Sequence, residues 1–160
     1  GVEMIEHVSF EKTTYNVLPY KFEAGTPNYV GSYAFGKAIE YVQTIGLENI
    51  ATHEHALAEY IEEELSKISQ VRVYAAKQPK AGAVSFNVYR ADGVLIHPFD
   101  VGVLLDRQGV AVRTGHHCAE PLIDYLGVPG TVRASVGMYN TKEDIDTFIA
   151  ALKKAIMMLE

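Results

Sequence analysis

Val84-Ser85-Phe86-Asn87-Val88 and Val132-Arg133-Ala134-Ser135-Val136 alternate apolar with polar residues. Successive side chains of a strand point to opposite faces, so each stretch predicts a strand with one buried face. Working outward, Val71, Val73 and Ala75 predict a shorter strand, and Val110 to Arg113 another. Between them, Pro98 opens a helix holding Val101, Leu104 and Leu105, which Gly109 ends. After the last strand, Asn140 or Thr141 caps a helix whose apolar stripe is Ile145, Phe148, Ile149, Leu152, Ile156 and Leu159. Asp144, three residues after Thr141, makes a variant of the capping box.

Upstream of the strands, Gly25-Thr26-Pro27-Asn28 reads as a helix start with Thr26 as N-cap and Pro27 as first helical residue. Val30, Ala34, Ala38, Tyr41, Val42 and Ile45 recur at helical spacing, and Gly46 stops the run. A second helix follows with Ile50, Leu57, Ile61, Leu65 and Ile68 on one face. Its acidic face, with Glu54, Glu59, Glu62, Glu63 and Glu64, is expected to be solvated. Residues 1–24 read as extended or irregular. The order helix-helix-strand-strand-helix-strand-strand-helix predicts an α+β fold: a small, largely antiparallel sheet of about four strands with helices on one face.

The 160 residues are 48% hydrophobic, a globular composition long enough for one real core. A formal charge of −6 with no basic block argues against a nucleic-acid partner. A single cysteine excludes an intrachain disulfide and fits a reducing cytosol. No apolar run approaches the roughly 20 residues that span a bilayer, so no membrane association is expected. Gly1-Val2-Glu3-Met4-Ile5 lacks a signal-peptide pattern and reads as an internal stretch of a longer chain. There is no internal repeat.

Chemistry is concentrated in Arg113-Thr114-Gly115-His116-His117-Cys118-Ala119, placed after a strand and therefore on a loop at a sheet edge. A cysteine is nucleophilic as thiolate, which neighbouring cations favour; Arg113, His116 and His117 can supply that charge. Gly115 permits a turn or a close approach to a ligand. A buried, inert cysteine is the competing reading. A metal site is disfavoured, because adjacent His-His-Cys residues diverge on an extended chain and no second ligand pair has metal spacing. Arg133, inside an apolar strand, calls for a partner: either a structural ion pair or a carboxylate gripped by two parallel hydrogen bonds. Thr26, at a helix N-terminus, is a candidate phosphate contact, although most such starts are only caps.

Together these stretches resemble the SufS-type cysteine desulfurases, pyridoxal-phosphate (PLP) enzymes of fold type I in the class-V aminotransferase group. The resemblance rests on F-E-A-G-T-P-N at Phe22–Asn28, A-V-R-T-G-H-H-C-A at Ala111–Ala119 and V-R-A-S at Val132–Ser135. Gly137-Met138-Tyr139-Asn140-Thr141 stands where the family has A-M-Y-N-T, and the likeness also takes in Gly46-Leu47-Glu48-Asn49-Ile50. It implies that Cys118 takes the sulfur of L-cysteine as a persulfide, releasing alanine, while PLP acts as electron sink. It implies that Arg133 holds the substrate carboxylate and that Arg113 lies near the substrate. Thr26 would reach the PLP phosphate of the partner subunit of a homodimer. His116 and His117 would shape the loop and its field, without transferring protons.

On the same resemblance, residues 1–28 are a residual segment of the large PLP domain, and 29–160 are the C-terminal small domain including the interdomain helix. The persulfide sulfur would pass to an acceptor of the SufE or SufU type for iron–sulfur cluster assembly in the cytoplasm. The lysine that binds PLP covalently falls upstream in the family. None of Lys12, Lys21, Lys37, Lys67, Lys77, Lys80, Lys142, Lys153 and Lys154 has its context. The chain alone is therefore expected to be inactive. Lys21 replaces the arginine that many members carry, keeping charge but not fork geometry. Two other readings stay open from sequence: a selenocysteine lyase, with L-selenocysteine as substrate, or a non-catalytic sulfur-carrier module.

Overall fold

The computed structural model describes residues 3–160, and its contacts divide the chain into two compact units, Gly1–Gly46 and Leu47–Glu160. In the first, β1 (Ile5–Val8) pairs antiparallel with β2 (Thr13–Tyr15). Ser9 closes the turn between them: its Oγ accepts from Lys12 N at 3.0 Å, and its N donates to Lys12 O at 2.9 Å. Part of the stretch read as irregular is thus a hairpin. A 3-10 turn at Tyr20–Phe22 follows, and then α1 (Tyr29–Ile45).

Asn28, not Thr26, is the N-cap of α1. Its Oδ1 accepts from Gly31 N at 2.9 Å, whereas Thr26 lies two residues earlier in a bend. A cap must reach the amide two or three residues inside the helix, and Asn28 alone stands at that distance. Gly46 ends α1 at φ +92°, as the sequence predicts. Among the described residues α1 contributes no buried side chain; Tyr29 is 71% and Phe35 68% exposed.

The second unit runs α2 (Leu47–Ser66), β3 (Val71–Val73), β4 (Ala83–Tyr89), β5 (Leu95–Ile96), α3 (Pro98–Asp106), β6 (Arg113–Gly115), α4 (Glu120–Leu126), β7 (Thr131–Ser135) and α5 (Lys142–Leu159). The strands form one antiparallel sheet in the order β3-β4-β7-β6, with β5 also pairing with β4. The predicted period-2 pattern places Val84, Phe86, Val88, Val132 and Ala134 on the core face. Leu57, Ile61 and Leu65 of α2, Val101 and Leu105 of α3, and Phe148, Leu152 and Ile156 of α5 pack against it. Each such side chain, removed from water, stabilises the fold by about 1.5–3 kcal/mol before entropy is charged against it. The Thr141–Asp144 capping box opens α5.

Three local readings change. The ladder of β6 begins at Arg113, because Val110 and Val112 pack on the core before the chain reaches the sheet. Helix α4 shows no sequence period, since seven residues bury only Ile123. Asn87, on the face opposite the core, is nevertheless fully buried: its Nδ2 donates to Gly130 O at 2.9 Å and Tyr74 Oη at 3.1 Å.

Candidate functional site

The face of the sheet away from the core carries the polar half of the alternation. Arg133 on β7 lies directly opposite Ser85 on β4 and Arg113 on β6. Residues paired across an antiparallel ladder project from the same face with Cβ atoms about 5 Å apart, and like charges there repel. Arg113 and Arg133 are such a pair. Arg113 is exposed; Arg133 is half-buried, and its buried Nε finds no hydrogen-bond partner among the described residues. A buried N–H without an acceptor costs about 1–3 kcal/mol. Two arginines paired on one face of the sheet, one with an unmet donor, suit an anion with two acceptor atoms, such as a carboxylate.

The loop after β6 brings a thiol to Arg113. Gly115 has φ +109°, His117 +55° and Cys118 +60°. The left-handed backbone at 117 and 118 reverses the chain, and Ala119 N donates to His116 O at 2.9 Å to close the turn. Cys118 is exposed, and the Arg113 Nη2 donates to its Sγ at 3.5 Å. The buried-thiol reading is thereby excluded. His116 turns outward, its Nδ1 3.7 Å from Glu120 Oε1.

His117 turns inward. Its Nε2 lies 3.1 Å from Thr131 O and 2.9 Å from Thr131 Oγ1. A carbonyl can only accept, so Nε2 carries the proton and Nδ1 is bare; Nδ1 is buried and finds no partner among the described residues. Burial holds the His117 pKa below the usual imidazole value, and the charges of Arg133, Arg113 and His116 add to the effect. The hydrogen bond to the Thr131 carbonyl opposes it without cancelling it. The ring is neutral at neutral pH.

A cavity of about 320 Å³ is lined by His116, His117, Thr131, Arg133 and Ser85, with Leu122 and Leu126 of α4 opposite. Lys80 is the lysine on its wall. It is paired with Glu62 and donates to the Ala75 and Gln78 carbonyls, so it is not a free amine. The structure therefore unites Arg113, Gly115, His116, His117, Cys118 and Arg133. Thr26 lies in the other unit, exposed. Sequence reasoning passed over Thr131 and Ser85. Thr131 shares strand parity with Arg133, the one signal that could have marked it. Among the described residues no group of three histidine, cysteine or acidic side chains could hold a metal ion.

The aminotransferase class-V family model matches residues 1–148. The chain belongs to that family. As a class-V aminotransferase sequence it is 47% identical over 159 residues to a probable cysteine desulfurase of Xylella fastidiosa strain 9a5c, covering 99% of this chain and 37% of that protein. It is 45% identical over 153 residues to a cysteine desulfurase of Cronobacter sakazakii, covering 95% and 36%. Its structure superposes on the cysteine desulfurase CsdA of Escherichia coli with a TM-score of 0.84 at 34% identity, covering 100% of this chain and 38% of that one. A cysteine desulfurase of Thermococcus onnurineus gives 0.81 at 39% identity, with 99% and 39% covered. The chain thus spans little more than a third of the length of these relatives. The fold expected from the resemblance is borne out by these neighbours.

Proposed function

We propose that the whole protein to which this chain belongs is a SufS-type, PLP-dependent cysteine desulfurase, and that this chain supplies its substrate-and-sulfur half. The observation that carries the reading is an exposed thiol, Cys118, hydrogen-bonded by Arg113, which is paired across a ladder with Arg133, whose buried Nε–H is unmet among the described residues. The residues present fit the carboxylate and sulfur of cysteine. Among the described residues, the lysine on the cavity wall, Lys80, is ion-paired to Glu62 and offers no free amine to anchor PLP there. PLP, held elsewhere in the whole protein, supplies an electron sink.

Arg133 binds the substrate carboxylate in a two-pronged contact, and Arg113 balances charge at the thiol. The Cys118 sulfur then bonds to the substrate sulfur as the substrate C–S bond breaks. The electrons of that bond stay with the carbon fragment, which gains a proton and leaves as alanine. Cys118 retains the persulfide. Neutral His117 adds no charge. In this proposal residues 1–28 complete the cofactor domain, residues 29–160 form the small domain with its interdomain helix, and Thr26 contacts the PLP phosphate of a second subunit. The assembly is a cytoplasmic homodimer that passes sulfur to a SufE- or SufU-type acceptor for iron–sulfur clusters. Among the described residues no helix is long and apolar enough to cross a membrane.

The test is Cys118→Ala in the whole protein. The side chain is small and exposed, so fold and PLP content are expected to be unchanged, while cysteine adds no sulfur atom to the peptide containing residue 118 by mass spectrometry. Wild-type sulfide release by the variant would exclude Cys118 as the acceptor.

A further inference from the structure

We propose that His117 is a positioning residue, a clasp that holds the Cys118 loop to Thr131 and so keeps the thiol against Arg113. The inference rests on the desulfurase reading for its catalytic consequence, but its geometry stands independently. His117 and Cys118 are consecutive non-glycine residues in left-handed backbone, a conformation in which Cβ crowds the following carbonyl oxygen. Such a pair persists only where the surroundings over-determine it.

Two contacts do so here. The first is the approach of Gly115 to Gly130: a Cβ on Gly130 would stand 3.0 Å from the Gly115 Cα, so the backbones meet with no room for a side chain. That fixes where the loop leaves the sheet. The second is the His117 ring, which reaches both the carbonyl and the hydroxyl of Thr131 through Nε2. Thr131 is 2% exposed, is the first residue of β7, and stands two residues before Arg133 on the same face. The ring thus ties the thiol to the strand that carries the candidate carboxylate grip. Without it, residues 117 and 118 are free to relax to right-handed or extended backbone, which carries Sγ away from Arg113 Nη2. A misplacement of about 1 Å at a reacting atom can lower a rate about 100-fold.

Two replacements separate the clasp from other roles in the whole protein. A Gln amide stands near the place of Nε2; it can donate to the Thr131 carbonyl and accept from the hydroxyl. An Asn amide stands near the place of Nδ1 and falls short of Thr131. Asn tolerates left-handed backbone better than Gln does, so easier backbone works against the expected result. His117→Gln is expected to keep kcat within about threefold. His117→Asn is expected to lose about tenfold or more in kcat with KM for cysteine within about twofold, about what one neutral hydrogen bond contributes. Amide hydrogen exchange over residues 115–119 should remain protected in His117→Gln and open in His117→Asn. Any result in which Gln does not exceed Asn in both kcat and protection overturns the clasp. Should His117→Asn fail to fold, Thr131→Ser against Thr131→Val asks the same question, with Ser expected to retain what Val loses; equal values overturn it. Failure of the wild-type protein to make alanine from cysteine would instead refute the desulfurase reading, while the exchange comparison still decides the clasp.

Discussion

Arg133→Met should make the 160-residue chain more stable and the whole protein poorer at binding cysteine. The stability gain has two sources. Removing one of two like charges directly opposed on β6 and β7 relieves about 0.2–1 kcal/mol of repulsion. Removing the buried Nε–H that lacks an acceptor recovers about 1–3 kcal/mol. Methionine retains most of the apolar stem and covers the same cavity wall. Against this, the net charge moves one unit further from zero, from −6 to −7, a long-range effect largely screened at physiological salt. The sum is a gain of about 1–4 kcal/mol. At roughly 2–4 °C per kcal/mol for a chain of this size, Tm should rise by about 2–16 °C. The assay is thermal unfolding of both chains by circular dichroism at 0.15 M salt, with urea midpoints as a check. In the whole protein the same change should raise KM for cysteine by at least about tenfold, since a charge-assisted pair contributes about 1.5–3 kcal/mol. A drop in Tm with unchanged KM would show that Arg133 is satisfied within the fold, and the reading of the arginine pair as an anion grip would fall.

Three other outcomes are expected. The 160-residue chain mixed with PLP and passed through gel filtration should retain no stoichiometric visible absorbance, and a retained band would contradict the assignment of the anchoring lysine to the rest of the protein. The folded-state pKa of His117 lies below the ordinary 6.5, so the unfolded chain binds the extra proton first; stability should fall as pH drops from about 6.5 toward the lowered value and be level above it. His117→Gln should flatten that part of the urea-midpoint profile, and an unaltered profile would refute the assignment. Thr141→Ala removes the hydroxyl that accepts from Asp144 N at the start of α5 and should cost about 0.5–2 kcal/mol, read as a lower urea midpoint at constant m-value.

The parts legible in the sequence are those where one periodic force dominates. Val84, Phe86, Val88, Val132 and Ala134 alternate because one face of the sheet meets α2, α3 and α5, and the stripe of α5 is regular for the same reason. The motif at residues 113–118 and Arg133 were visible as chemistry without a structural excuse. What was hidden depends on neighbours distant in sequence. Thr131 is unremarkable until the left-handed turn at 117 and 118 swings an imidazole onto it. Val110 and Val112 have the look of a strand because packing on the core demands the same residue types as a ladder. Thr26 and Asn28 are both good caps, and only the path of the chain through Pro27 decides between them.

Strand β6 is three residues long, ends the sheet on one side, and opens with Arg113. An edge strand offers unpaired amides and carbonyls to any other chain, and a short charged edge is among the ways proteins deter such pairing. Arg113 therefore carries a colloidal duty besides the chemical one proposed for it. In a substitution library at this position, apolar and β-branched replacements should be under-represented in the soluble fraction before any assay of turnover is run. Selection on activity alone would credit to the chemistry a preference that belongs partly to staying unaggregated.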